Sequence, residues 1–365
     1  LILLEVLDDP SLPQGRVGRA ENGNAVLTGV GVSARRLDDP TRTEQVDLTW
    51  AWADHEQADG DHRVVNALDS GDERGWAVDA HRRPGPRAAL FLCDRPFGFA
   101  GGTELTIRLE HASNYARHTL GRVRVRVGRA SEALLARLPL AFGTWHLAGP
   151  FPADSKQHAF EHVFGPEMDA ALDLAREFGS PELRWRANPT LLDGIPNTLP
   201  SGVVATYVGR RVYAPSARES VFSLGSDDGF RLFVDGREAA SRDVDRALAP
   251  DHDQARLTVP RGRSTLVLKD VNAGGLGGFY FRADPGADEL AGLLVAGLLP
   301  RDARWSALDK GVALAWRLQR SSTARAARER IAGFEARATA LEAELPRTMV
   351  MKELAVPRPT YVLRR

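Results

Sequence analysis

Residues 221–236 read VFSLGSDDGFRLFVDG: two runs of alternating apolar residues flank Asp227, Asp228 and Gly229, and a second Asp-Gly pair, Asp235-Gly236, closes the stretch. A period of two is that of a strand with one face buried. Asp-Gly between two such runs predicts a hairpin tip. One aspartate suffices for that turn, yet two stand side by side, and their repulsion calls for something to offset it. A hard cation such as calcium, or the hydroxyls of a sugar, would do so. The stretch therefore points to an antiparallel β fold carrying a binding site.

The same patterns extend in both directions. Strand-like runs occupy 1–7, 25–32, 45–52, 88–92, 103–109 and 121–127. In the last, Val123, Val125 and Val127 alternate with Arg122, Arg124 and Arg126, which predicts one buried and one wet face. The arginine row is read as the solvated face of a sandwich strand, a polyanion stripe being the other reading. A second set of strands covers 203–208, 220–224, 230–234, 255–259, 264–269 and 278–281. Short helices are expected over 131–138 and 170–178. Residues 288–299, 305–320 and 323–345 carry apolar residues at helical spacing; in the last, Ile331, Phe334, Ala338, Leu341 and Leu345 mark an amphipathic face. The expected fold is mainly β: two jelly-roll-like β-sandwich modules, 1–129 and 145–284, joined by a helical linker 130–144. An α-helical hairpin, 285–345, and the extended start of a further domain, 346–365, follow. The chain opens on Leu1 within a strand, without Met or signal peptide, and reads as a piece of a longer protein.

Composition narrows the function. Lys+Arg and Asp+Glu are both 48, and four lysines leave 44 of the basic residues as arginine. A balanced charge without a long basic run points away from nucleic acid and acidic membrane surfaces. No apolar run reaches the roughly 18 residues that span a bilayer. Cys93 is alone, so neither an intrachain disulfide nor a Cys-x-x-Cys-His haem site is possible, and it reads as a buried apolar residue.

Neighbouring side chains on a strand point to opposite faces. For Asp227 and Asp228 to grip one ion the backbone must be unusual, for instance a cis peptide between them, which an ion would have to compensate. Calcium needs six to eight oxygens. The loop 270–278, DVNAGGLGG, offers the side-chain oxygen of Asn272 and carbonyls freed by glycines. The bland reading is a hairpin tip beside a glycine-rich loop. His158-Ala159-Phe160-Glu161-His162 spells HxxEH, a zinc motif when it lies on a helix with a third ligand; within a β module it reads as a chance match in a loop. His55, His62, His111 and His118 fit no usual zinc spacing and read as solvated loop histidines. No Gly-x-Ser-x-Gly and no phosphate loop is present, and nothing singles out Glu110, Glu161 or Glu167 as glycosidase carboxylates. Exposed aromatics stack on sugars: Trp50 and Trp52 share a strand face and read as core, whereas Trp76, after Gly-Asp-Glu-Arg-Gly, is the candidate at a ligand-site rim.

The SDDG-x-RL-x-VDG arrangement, followed by the Asn272 loop and the aromatic strand GGFYF, resembles the protective-antigen-like lectin domain of adhesins and glycosidases, over about residues 145–284. That resemblance implies calcium held by Asp227, Asp228 and Asn272, with sugar hydroxyls on the ion. A wider resemblance rests on PSLPQGRVGRAENGNAVLTGVGV, WHLAGPF, FGPE, PDHDQARLTVPRG and TMVMKELAVPRPTYVLRR. These are similar to the large planctomycete cytochrome-c-associated proteins of unknown function. It implies a fragment between two family-specific domains, a discoidin-like first sandwich, and a periplasmic or extracellular setting. Ala25-Val26 departs from the aromatic expected there. No haem motif lies in this stretch, so no redox activity carries over.

The expected function is non-catalytic binding of a polysaccharide or glycan by a pair of modules, calcium-dependent at Asp227/Asp228, with Asn272 and Trp76 contributing. The alternative is a scaffold that spaces neighbouring domains of the parent chain.

Overall fold

The computed structural model describes residues 1–69, 73–283 and 322–344, and they are mainly β. The first module comprises β1 (Ile2–Leu7), β2 (Val26–Leu27), β3 (Gly29–Arg36), β4 (Thr43–Gln45), β5 (Leu48–Ala53), β6 (Trp76–Ala77), β7 (Arg87–Cys93), β8 (Thr103–Glu110) and β9 (Arg122–Val127). Its sheets run β5-β7-β1-β9, β4-β3-β8 and β2-β6, all antiparallel. Ile2, Leu4, Val6, Val30, Val32, Trp50, Leu90 and Phe91 fill one core between them. Cys93 is buried there, as expected of a strand cysteine.

The linker forms a single helical turn, α1 (Glu132–Leu135), begun by Ser131, whose Oγ accepts the Leu134 N–H. The second module comprises β10 (Ala141–Phe142), β11 (His146–Pro152), α2 (Lys156–Glu161), β12 (Arg186–Ala187), β13 (Asn197–Leu199), β14 (Val203–Ala214), β15 (Arg218–Ser226), β16 (Gly229–Val234), β17 (Arg237–Asp243), β18 (Asp253–Val259), β19 (Gly262–Ala273) and β20 (Gly277–Ala283). The larger sheet runs β12-β11-β14-β19-β16-β17, with β10 also on β14; the smaller runs β13-β20-β15-β18. β14 and β19 are buried almost continuously along their length, as strands covered on both faces are. Val208, Val212, Leu266, Leu268, Phe230 and Leu232 face the smaller sheet. Ala205, Tyr207, Val267, Val271 and Phe233 lie in a second cluster with Ala159, Leu172, Phe178 and Trp185, beneath α2 and the loops after it.

Several expectations change. The turn at Asp227-Asp228 is not a hairpin: β15 belongs to the smaller sheet and β16 to the larger, so the pair sits where the chain crosses between them. The hairpin is the one at Asp235-Gly236, between β16 and β17. Both residues have positive φ, 49° and 75°, as a type I′ turn requires. No helix forms over 170–178. Asp169 takes the Ala171 and Asp173 N–H groups and the Trp185 indole N–H, and Leu172 has φ 51°. Conversely the HxxEH stretch folds as a helix, α2, up to Glu161, with His162 just past its end in extended backbone; Ser155 starts it, its Oγ accepting the His158 N–H. The wet-and-dry pattern expected of β9 also fails: both its faces are exposed, since it is the outermost strand of its sheet.

Residues 310–365 form a separate unit, in which α3 (Ser322–Glu344) matches the helix expected over 323–345. Its Ile331, Phe334 and Leu341 are exposed. The expected helices over 288–299 and 305–320, and the extended tail 346–365, lie outside the described residues.

Candidate functional site

Asp227 and Asp228 lie at one end of the second module, in the crossover from β15 to β16. The Asp227 N–H donates to the Gly278 carbonyl (3.1 Å), and the Asp228 carbonyl accepts the Val244 N–H (3.1 Å), which ties the crossover to β20 and to the segment after β17. Their side chains take different donors. Asp227 Oδ1 accepts the Leu248 N–H (3.2 Å), and Asp228 Oδ2 accepts the Ala273 N–H (2.8 Å). The second bond places Asp228 beside Asn272, which is fully buried at the end of β19. Asn272 bridges its own loop, with Oδ1 accepting the Gly274 N–H (3.1 Å) and Nδ2 donating to the Gly275 carbonyl (3.2 Å). The structure thus brings Asp227, Asp228 and Asn272 together. The peptide between the two aspartates is trans; Gly149-Pro150 is the cis bond among the described residues.

A fourth residue joins them. Asp270 is two places before Asn272 on β19, on the face carrying Leu266 and Leu268 into the space between the sheets. It is 1% exposed, and its Oδ1 has no hydrogen-bond partner among the described residues. Gly277 lets the next strand approach: a Cβ there would lie 3.2 Å from both Asp270 Oδ2 and Asn272 Nδ2. Burial pushes the Asp270 carboxyl well above the usual range, and the charges of Asp227 and Asp228 push it further. Burial also raises Asp227, with Asp228 adding to it and the Leu248 N–H opposing. None of the three carboxylates has an ion-pair partner among the described residues. The nearby arginines Arg242 and Arg246 both bond Asp253 instead. The parity of LVLKDVN is the signal that finds Asp270: an acid at a position where the pattern calls for core.

The arrangement can do two things chemically. It can hold protons on the carboxyls, or it can accept a hard cation through an all-oxygen donor set. Among the described residues no group of three or more His, Cys, Asp or Glu side chains is arranged to hold a metal ion. A cation here would draw on two aspartates and the Asn272 amide oxygen rather than on a ready-made ring of carboxylates.

The remaining candidates are placed elsewhere. Trp76 is not at a rim: it is 0% exposed, paired through β6 to Leu27, and its indole N–H donates to the His55 carbonyl (2.7 Å). A ring buried on all sides offers no face for a sugar. Trp50 is likewise in the core, its Nε1 donating to the Pro139 carbonyl (2.9 Å). His158 on α2 and His162 just after it stack edge to face, ring centroids 4.9 Å apart, and Glu161 accepts the Gln157 amide. His55, His62, His111 and His118 are half-buried rather than solvated; His55 bonds Asp79 (3.1 Å) and His111 the Val26 carbonyl (2.7 Å). Glu167 is buried as a structural anchor, accepting the Tyr207 hydroxyl (2.6 Å) and the Gly165 N–H (2.8 Å), with Lys269 Nζ at 3.8 Å.

No family model and no curated protein matches the chain. Among solved structures, part of the chain is similar to a PA14 sugar-binding domain from an RTX adhesin (17% identity, TM-score 0.19, 22% of this chain and 46% of that one). Another part-chain likeness is to the PA14 domain of the MpAFP antifreeze protein (15%, 0.21, 40% and 65%). A third is to a GH31 alpha-xylosidase from Xanthomonas citri (22%, 0.19, 23% and 10%). The chain spans less than two thirds of each of these. Among the described residues no helix is long and apolar enough to cross a membrane.

Proposed function

We propose that the chain is a non-catalytic carbohydrate-binding part of a larger protein, its second module binding polysaccharide through calcium at the Asp227-Asp228 crossover. One observation carries the reading: Asp227, Asp228 and the buried Asp270 crowd one end of the sandwich, and among the described residues no basic side chain forms an ion pair with them. Burying such charge without a partner is costly, and a hard cation is the partner an all-oxygen set favours. Asp227, Asp228 and Asn272 would hold it, and Asp270 would add negative charge behind them. Bound there, calcium would supply open coordination positions for vicinal hydroxyls. Leu276, 72% exposed on the same loop, would supply an apolar contact for a sugar's carbon face.

The test is thermal melting of the whole chain in calcium and in chelator, followed by a glycan array. At calcium a hundredfold above its dissociation constant the gain is about 2.7 kcal/mol, read as a rise in Tm. Asp228→Ala is expected to abolish both the rise and the array signal. A wild-type Tm that ignores calcium, with a blank array, would sink this reading.

That outcome would leave a second one, a scaffold spacing its neighbours. It is favoured by the bonds that tie the second module to the linker and to the first module. Arg218 donates to the Leu138 and Leu135 carbonyls (2.7 and 2.9 Å), Arg263 pairs with Asp69 (2.7 Å), and Arg261 donates to the Asp94 carbonyl (3.0 Å).

A further inference from the structure

β9 is an edge strand whose outer side is open among the described residues. Leu1 and Gly128 exchange both backbone hydrogen bonds (3.1 and 2.9 Å), and the register then pairs Leu3 with Arg126, Glu5 with Arg124 and Leu7 with Arg122. Hydrogen-bonded pairs alternate along an antiparallel ladder. The N–H and C=O groups of Val123, Val125 and Val127 therefore point away from β1. The same parity explains why Gly121 donates outward, to the Val17 carbonyl (2.8 Å). Beyond that bond nothing among the described residues pairs with the strand's outer side.

The side chains are as open as the backbone. Val123, Val125 and Val127 lie opposite Val6, Leu4 and Ile2, on the core face, yet they are 41, 38 and 53% exposed. The other face carries Arg122, Arg124 and Arg126. Glu5 accepts from Arg124 and Arg126 (2.8 and 2.9 Å), and Asp9 lies 3.6 Å from Arg122. Glu5 and Asp9 thus meet the arginine row from the side of β1, and exposed Arg129 adds a further positive charge.

An exposed apolar edge is one that proteins normally blunt or use. A second copy of the chain is a poor occupant: antiparallel pairing of β9 with itself sets arginine opposite arginine on one face, which is destabilising. We infer that β9 is a docking edge for an extended segment of another protein that alternates apolar and acidic residues. The segment adds a fifth strand to β5-β7-β1-β9, its apolar side chains covering the three valines and its carboxylates meeting the arginine row.

The test titrates the whole chain into a fluorescent peptide of four Val-Glu repeats, read by anisotropy, against four Val-Lys repeats. Saturable binding of the Val-Glu peptide alone is expected, weakening with salt. Val125→Pro removes an outward N–H and no bond of the sheet, a placement proline tolerates. Binding should fall about tenfold or more, the weight of one or two main-chain bonds, with Tm unchanged. Should that variant not fold, a Val-Glu peptide N-methylated on alternate residues is expected not to bind the wild type. Equal binding of both peptides, no saturable binding, or undiminished binding by the variant or the methylated peptide overturns the inference. So does dimerisation of the wild type that Val125→Pro abolishes without any peptide binding.

Discussion

Replacing Arg210 with alanine is expected to lower the unfolding free energy by about 2–5 kcal/mol, the range for truncating a long, fully buried side chain, since the Asp193 carboxylate it leaves behind is open to solvent. Arg210 is on β14, facing between the sheets, and is fully buried. Its NH1 donates to both carboxylate oxygens of Asp193 (2.7 Å each), and its Nε and NH2 donate to the Gly143 carbonyl (3.1 and 2.8 Å). The guanidinium carbon stands 4.4 Å from the Trp145 ring and 4.6 Å from that of Phe142. Trp145 in turn donates its indole N–H to Asp193 (2.8 Å) and packs on Phe279 and Phe281. One side chain therefore closes the aromatic end of the core and joins it to the linker. Burial lowers the Arg210 pKa, and Asp193 opposes that. Urea unfolding at neutral pH measures the loss. Arg210→Lys keeps the charge but loses the fork and the planar stack, so it should recover only part of the stability. Arg210→Met with Asp193→Asn removes the charges together and should cost less than alanine alone. A loss under about 1 kcal/mol for Arg210→Ala, within the range of an ordinary surface ion pair, would show that the box does not depend on this residue.

Arg210 also marks where sequence reading stops. Its alternation along β14 is visible, but an arginine at a core position looks like a break in the pattern until Asp193, Gly143 and two rings are seen around it. The same holds at the candidate site. The strands and the Asp235-Gly236 turn are legible as period-two runs and turn residues, and the nearness of Asp228 to Asn272 is what the lectin-domain resemblance implies. That Asp227-Asp228 is a crossover is not, because strand-turn-strand reads alike whether both strands join one sheet or two. The difference lies in the partners, β20 and β18 for one strand and β19 and β17 for the other. Asp270 could be read from parity alone. Trp76 could not: its polar, glycine-flanked neighbours suggest a rim, and only the pairing with Leu27 and the His55 carbonyl turn it inward. Local hydrogen bonds decided the short helices. Ser155 before 156–161 is a helix start that the sequence displays, whereas Asp169 captures the amides that a helix over 170–178 would need.

Lowering the pH from 7.5 to about 4 is expected to remove roughly 3 kcal/mol of stability through His146 alone. His146, on β11, is 6% exposed where the two modules meet. Its Nδ1 bonds the Thr144 carbonyl (3.0 Å), so Nδ1 carries the proton and Nε2 presents a bare lone pair with no partner among the described residues. A cavity of about 30 Å³ lies there, lined among others by Asp61, Asn66, Arg74, Arg211 and Tyr213. It has room for a water. Burial, then Arg74, hold the imidazole at a pKa of about 4 instead of 6.5, with Asp61 and the Thr144 carbonyl opposing and Arg211 adding to the fall. Between pH 6.5 and 4 the unfolded chain therefore binds the proton and the folded one does not. The contribution is complete above pH 6.5 and is lost as pH falls through that window; a drop of this size is worth roughly 3 kcal/mol. His62 and His111 are also held below their usual value by burial, and they add to the slope with the same sign. The decisive readout is thus the difference between wild type and His146→Leu, taken from urea unfolding at intervals from pH 7.5 to 4.5. The variant should lose less stability over that range. Parallel curves would mean that His146 is not the group that loosens the junction in acid.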